Sequence, residues 1–177
     1  NLHILNNLAN LKKSVDDTNE AIKIYKKILS IQSNALVALY NLAGLYNSLG
    51  NFEESIKLYY KILSVKPEFT EADRLISQMT KYNFDNKHFK QMSEKLKNKE
   101  LDDDALIHLH FALGKAYGDQ KKFKNSFENY KKANDISKKK TKYNFINDKE
   151  KIQKIKKNFS KINSTKTIIN KRQIIFI

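Results

Sequence analysis

Apolar residues recur three and four positions apart along most of this chain, and the pattern is sharpest over residues 36–69, LVALYNLAGLYNSLGNFEESIKLYYKILSVKPEF. Leu39, Leu42, Ala43 and Tyr46 form one set, and Phe52, Ser55, Ile56, Tyr59, Ile62 and Leu63 a second. Such spacing places each set on a single helix face. Leu49-Gly50-Asn51 separates the two helices and Pro67 closes the unit. Small Ala43 and Ser55 fall where two antiparallel helices would cross closely. A hairpin of this kind cannot bury its apolar face alone and needs neighbours stacked on it.

The same pattern stands one unit upstream without a gap. Asn7-Leu8-Ala9 matches Asn41-Leu42-Ala43, Glu20 to Tyr25 matches Glu54 to Tyr59, and Lys27 to Ser30 matches Lys61 to Ser64. Residues 2–35 are thus a first repeat, with helices at roughly 1–13 and on to about Ile31, and an Asx or Thr residue of Asp16-Asp17-Thr18-Asn19 as the cap between them. This helix-turn-helix period of about 34 residues with its Leu, small, Tyr pattern resembles the tetratricopeptide repeat, which implies an α-solenoid. Residues 70–106 read as a degenerate third repeat, stretched by three residues. It has a helix from Thr70 to about Thr80 and another capped by Asp85 or Asn86 that carries Phe89, Met92 and Leu96. Residues 107–140 restore the register through Leu113, Gly114 and Tyr117, then Phe123, Ser126, Tyr130 and Ala133.

Residues 141–171 read as a linker whose stretch from Asp148 to Ser160, with Ile152, Ile155 and Phe159, is an amphipathic helix suited to cap the stack, while Tyr143, Phe145 and Ile146 are apolar anchors without period. The β-branched run over 172–177 reads as one orphan strand, a type buried on both faces in parallel sheets. With no partner strand to satisfy its backbone, it suggests a fragment cut one strand into a second domain. The expected fold class is all-α: about four hairpins in 1–140, a capping helix, and that strand.

Composition changes this picture little. The net charge is +15, but residues 136–177 carry 13 Lys/Arg against two acids and supply +11 of it. A nucleic-acid surface would set basic residues on one face with stacking aromatics between them. Here Lys138-Lys139-Lys140 and Lys156-Lys157 mark a helix end and a solvated face, so nucleic-acid binding by this tail is the lesser reading. There is no cysteine, which removes disulfides and thiolate chemistry and fits a cytoplasmic setting. No run of about 18 apolar residues spans a membrane, and no membrane partner is expected.

No catalytic or metal-binding constellation stands out. His108 and His110 are two apart and diverge on a helix; His3 and His88 have no carboxylate or cysteine at a useful spacing. Asp102-Asp103-Asp104 reads as a helix cap at the positive end of the dipole. What remains is binding. Stacked hairpins curve, and their first helices line the concave side. In register, that groove would present Asn6, Asn10, Tyr40, Asn47, Phe111 and Lys115 to a protein or peptide partner, with asparagine amides able to hold an extended backbone.

Residues 109–119, LHFALGKAYGD, followed by Phe123 to Asn134, resemble the last repeat of the bacterial tetratricopeptide-repeat sulfotransferases. The likeness is close over residues 101–135 and loose over the whole chain. In that family a linker helix and an apolar strand similar to residues 172–177 precede the loop that holds the sulfate donor, 3′-phosphoadenosine-5′-phosphosulfate (PAPS). The resemblance implies the repeat region of a PAPS-dependent sulfotransferase, with no cofactor or catalytic residue in this chain and its own missing catalytic domain as a partner. There it would orient a protein or glycan acceptor. The alternative is a freestanding repeat scaffold that binds a peptide or protein in its groove.

Overall fold

The apolar periodicity becomes helix throughout the described residues, 1–141 and 145–164, of a computed structural model. In order these are α1 (Leu2–Ser14), α2 (Thr18–Ile31), α3 (Leu36–Ser48), α4 (Phe52–Val65), α5 (Thr70–Met79), α6 (Lys87–Lys95), α7 (Asp103–Asp119), α8 (Phe123–Thr141) and α9 (Phe145–Ser164). No strand occurs among the described residues; the orphan strand expected at 172–177 lies outside them. The chain falls into two units, Asn1–Lys140 and Thr141–Ile177. The first holds the helical hairpins and is an all-α solenoid.

Three of its hairpin turns share one device. Asp16, Gly50 and Lys121 occupy equivalent positions and all adopt left-handed backbone, with φ of 58°, 75° and 60°. In each, the next amide reaches back to the first helix: Asp17 N–H to Lys12 O at 2.9 Å, Asn51 to Tyr46 at 2.8 Å, Lys122 to Tyr117 at 2.9 Å. This wrap satisfies carbonyls that the helix end would leave unmet. Asp17 does not cap α2 with its side chain as the sequence suggests. Its carboxylate is taken instead by Lys12, 2.9 Å away.

Packing follows the same period. Ala38, Leu42 and Leu45 of α3 are buried against Ala21, Ile24, Tyr25 and Ile28 of α2. Ala72 and Ile76 of α5 are buried against Tyr59 and Ile62 of α4. Within hairpins the close crossing is bonded as well as packed, since Ser55 Oγ donates to Ala43 O at 2.8 Å and Ser126 Oγ to Gly114 O at 2.7 Å. Phe52 and Phe123, expected to face inward, are instead 49% and 71% exposed at the starts of α4 and α8.

The third hairpin departs from the others. Its first helix stops at Met79 and the chain turns extended at Thr80 (φ −105°, ψ 133°). Asn86 then caps the short α6, accepting from His88 and Phe89 N–H, and α5 packs directly on α7. Asp102 caps α7 by accepting from Ala105 N–H at 2.7 Å. α9 begins at Phe145 rather than at Asp148, so Phe145 and Ile146 belong to it instead of anchoring a linker.

The two interior glycines of the first helices differ in what surrounds them. A Cβ on Gly114 would lie 2.9 Å from the Tyr130 ring, whereas one on Gly44 meets nothing nearer than the Tyr59 hydroxyl at 4.0 Å. Gly114→Ala is expected to lower stability by about 1–3 kcal/mol through overpacking. Gly44→Ala should raise it by roughly 0.5–1 kcal/mol through helix propensity. Urea denaturation of both variants checks the contrast.

Candidate functional site

The stack leaves one side of α1, α3, α5 and α7 uncovered, and the residues there come from equivalent positions in each repeat. Polar bonds link them across repeats. Asn41 Nδ2 donates to Asn10 Oδ1 at 3.3 Å, and Asn10 Oδ1 also accepts from the Tyr25 hydroxyl at 2.5 Å. The Tyr40 hydroxyl donates to Glu71 Oε1 at 2.8 Å. Thr70 Oγ1 and His108 Nδ1 are 3.2 Å apart. The Arg74 guanidinium lies 5.3 Å from the centre of the Phe111 ring, within cation–π range.

Each residue expected in the groove finds a definite place. Asn6 donates to Leu2 O, and its Oδ1 is buried with no partner among the described residues. It lines a cavity of about 450 Å³ with Leu2, Asn34 and Leu36. Asn10 and Tyr40 are the linking residues above, and Asn47 is half-buried on α3. Phe111 and Lys115 line a cavity of about 140 Å³ together with Arg74, Ser77, Gln78 and Tyr130. Lys115 is committed internally: it donates to Thr80 O, pairs with Asp119 at 2.5 Å, and lies over the Tyr82 ring. It braces the irregular third turn, and its charge is already matched.

The electrostatics follow from burial. Burial, with the Glu71 carboxylate beside it, pushes the Tyr40 hydroxyl up to about 12. Burial likewise lowers His108, which keeps its imidazole neutral and able to hydrogen bond at neutral pH. Burial would raise Asp119, but the Lys115 ammonium and the Tyr82 N–H outweigh it and hold the carboxyl below its usual range.

The third and fourth repeats add residues to this face that the sequence reading did not place there: Glu71, Arg74 and Gln78 from the third, and His108 from the fourth. The signal was present, since Arg74 stands one repeat after Tyr40 and His108 is the counterpart of Glu71 in the fourth repeat.

A second cluster corrects the expectation that His88 lacks a carboxylate. His88 Nε2 lies 3.0 Å from Asp73 Oδ1, its Nδ1 lies 2.7 Å from the Tyr82 hydroxyl, and Lys95 Nζ reaches Asp73 Oδ2 at 2.6 Å. A carboxylate only accepts, so Nε2 carries the proton and Nδ1 accepts from Tyr82. The His88 and Asp73 side chains are 1% and 0% exposed, so no substrate reaches them. The network fastens α5, α6 and the turn between them. Among the described residues no group of three or more His, Cys, Asp or Glu could hold a metal ion, and no helix is long and apolar enough to cross a membrane.

Two variants test these assignments. Asp73→Asn is expected to cost about 3–5 kcal/mol, because it leaves the Lys95 charge without its partner in a buried setting; thermal denaturation reads this. Tyr40, Tyr59 and Tyr82 all have raised pKa values in the fold, with burial the first cause. A raised pKa contributes stability that is complete below the unfolded value near 10 and lost as pH climbs through the folded one. The solenoid should therefore hold to about pH 10 and unfold between about pH 10 and 12, with tyrosinate absorbance rising in step with loss of helical circular dichroism. Tyrosinate appearing with helix intact would refute the burial assignment.

Two family models match the chain, both described as tetratricopeptide repeat, over residues 15–79 and 107–140, together more than half of its length. No curated protein matches it in sequence. Among solved structures, a crystal structure of MamA is similar at 18% identity and a TM-score of 0.62, over 81% of this chain and 82% of that one. A tetratricopeptide repeat protein from Parabacteroides merdae gives 20% identity and a TM-score of 0.61, over 75% of this chain and 51% of that one. A putative kinesin light chain from Podospora anserina with nearly identical TPR-like repeats gives 15% and 0.61, over 80% and 77%. At these identities the likeness is one of fold.

Proposed function

The chain belongs to the tetratricopeptide-repeat family, and we propose that it is an interaction scaffold that binds an extended peptide segment of a protein partner along the face of its first helices. The observation that carries this reading is the continuity of that face. Asn10–Asn41, Tyr40–Glu71 and Thr70–His108 join consecutive repeats into one polar strip. Beside it stands the Arg74 guanidinium, with N–H donors in reserve. A peptide backbone offers carbonyls to accept from them. The Phe111 ring and the small cavity beside it offer a side-chain subsite.

The sulfotransferase reading of residues 101–135 would give the same face the task of orienting a sulfate acceptor. The matches described above include no sulfotransferase, and the apolar ending on which that reading leaned lies outside the described residues. The freestanding scaffold is therefore the better supported of the two. PAPS belongs only to the sulfotransferase reading and is not carried further.

Selection of a phage-displayed peptide library on the whole chain supplies a probe. Binding of the selected peptide should fall by about tenfold or more in Arg74→Ala, the loss typical of an interface arginine anchor, and fall also in Phe111→Ala, with helical circular dichroism unchanged in both. Peptides that bind both variants as well as the parent would place recognition elsewhere and end the proposal.

A further inference from the structure

Arg74 stands on the open face and forms no ion pair among the described residues. Elsewhere in the chain a glutamate three residues ahead of a lysine closes a pair along its helix: Glu20–Lys23 at 3.1 Å, Glu54–Lys57 at 2.5 Å and Glu94–Lys97 at 2.5 Å. Glu71 and Arg74 have the same spacing on α5, where such neighbours ordinarily attract, yet they do not pair. The Glu71 carboxylate accepts from the Tyr40 hydroxyl instead, and the guanidinium lies over the Phe111 ring. The residue type matters too. Arg74 is one of two arginines in a chain that otherwise uses lysine. A guanidinium can rest its flat face on an aromatic ring while its edge grips a carboxylate with two N–H groups.

The cavity of about 140 Å³ beside it is lined by Arg74, Ser77, Gln78, Phe111, Lys115 and Tyr130, with no carboxylate among them. The Gln78 amide and the Tyr130 hydroxyl are donors without a hydrogen-bond partner among the described residues. Lys115 is matched by Asp119, so the cavity holds one unmatched positive charge. We propose that this cavity takes the carboxylate of an aspartate or glutamate side chain of the bound peptide, gripped by Arg74, with Tyr130 and Gln78 as further donors. This preference rests on peptide binding along the open face. One unmatched charge suits a carboxylate; a phosphate brings nearly two negative charges and is met by clustered arginines. A neutral peptide residue laid over the cavity would strip water from the guanidinium without replacing it, and that cost supplies the selectivity.

The phage-selected peptide is the probe, synthesised with an amidated C-terminus so that its only carboxylates are side chains. An acidic residue should recur at one position of the selected sequences. Its replacement by Asn or Gln should weaken binding to the whole chain by about tenfold, as for one member of a desolvated charge pair. The same replacement should leave binding to Arg74→Gln unchanged, because that variant has already lost the contact. Tyr130→Phe keeps the ring that packs on Gly114 and should weaken binding by about tenfold through the lost hydrogen bond to a charged group. Arg74→Glu, carried through the same selection, should return lysine or arginine at that position. Circular dichroism checks the fold of each variant. Selected peptides with no recurrent acid, or with an acid that contributes equally to binding by the parent and by Arg74→Gln, overturn the proposal and leave peptide binding itself standing. A library that yields no binder ends both.

Discussion

Everything in the repeat unit depends on one kind of contact, the second helix of a hairpin laid across the first helix of the next. Tyr25 and Ile28 over Leu42, and Tyr59 and Ile62 over Ile76, are its clearest instances. Neither hairpin could hide these side chains by itself. The left-handed turns at Asp16, Gly50 and Lys121 shape the first, second and fourth hairpins to be covered, and serine bonds fix the close crossing in the second and fourth. Local geometry here serves a non-local need.

The candidate site follows from the same contact. A helix covered on one side by its own partner and on another by the preceding hairpin has one direction left open. Repetition points that open direction the same way in α1, α3, α5 and α7. A polar surface of similar composition then accumulates without any single repeat being shaped for a ligand. Fine tuning falls to particular substitutions, such as Arg74 where the preceding repeat has Tyr40, and Phe111 after it.

Much of this was legible in the residues. The gapless match of Glu20–Tyr25 to Glu54–Tyr59 dictates the first two hairpins, and the caps at Asn86 and Asp102 were visible as side chains suited to accept amide protons. Glu71 and Arg74 were missed because the third repeat lacks the consensus pattern, and His108 because it was weighed only as a metal ligand, although counting positions through the repeats would have found all three. The His88–Asp73 contact was out of reach for a different reason. The two residues are fifteen apart and meet only because α5 stops early and the chain runs extended before α6, a geometry that no helical periodicity encodes. The start of α9 was misplaced because the seven-residue step from Phe145 to Ile152, repeated from Ile152 to Phe159, was not counted, while Ile146 beside it falls outside that period.

The Tyr82–His88–Asp73–Lys95 cluster has a consequence for how the repeat unit is held together. A stack stabilised by nearest-neighbour contacts of similar kind opens from its ends inward. Here the third repeat adds short, directional bonds around a buried carboxylate to the apolar contacts of Met92 with Leu109 and Leu113. Such bonds tolerate little displacement, so they hold α5, α6 and the turn between them to a single arrangement. The segment they hold is the one the family models pass over, matching up to residue 79 and resuming at 107, so side-chain bonds specific to this chain stand there in place of the repeat's common pattern.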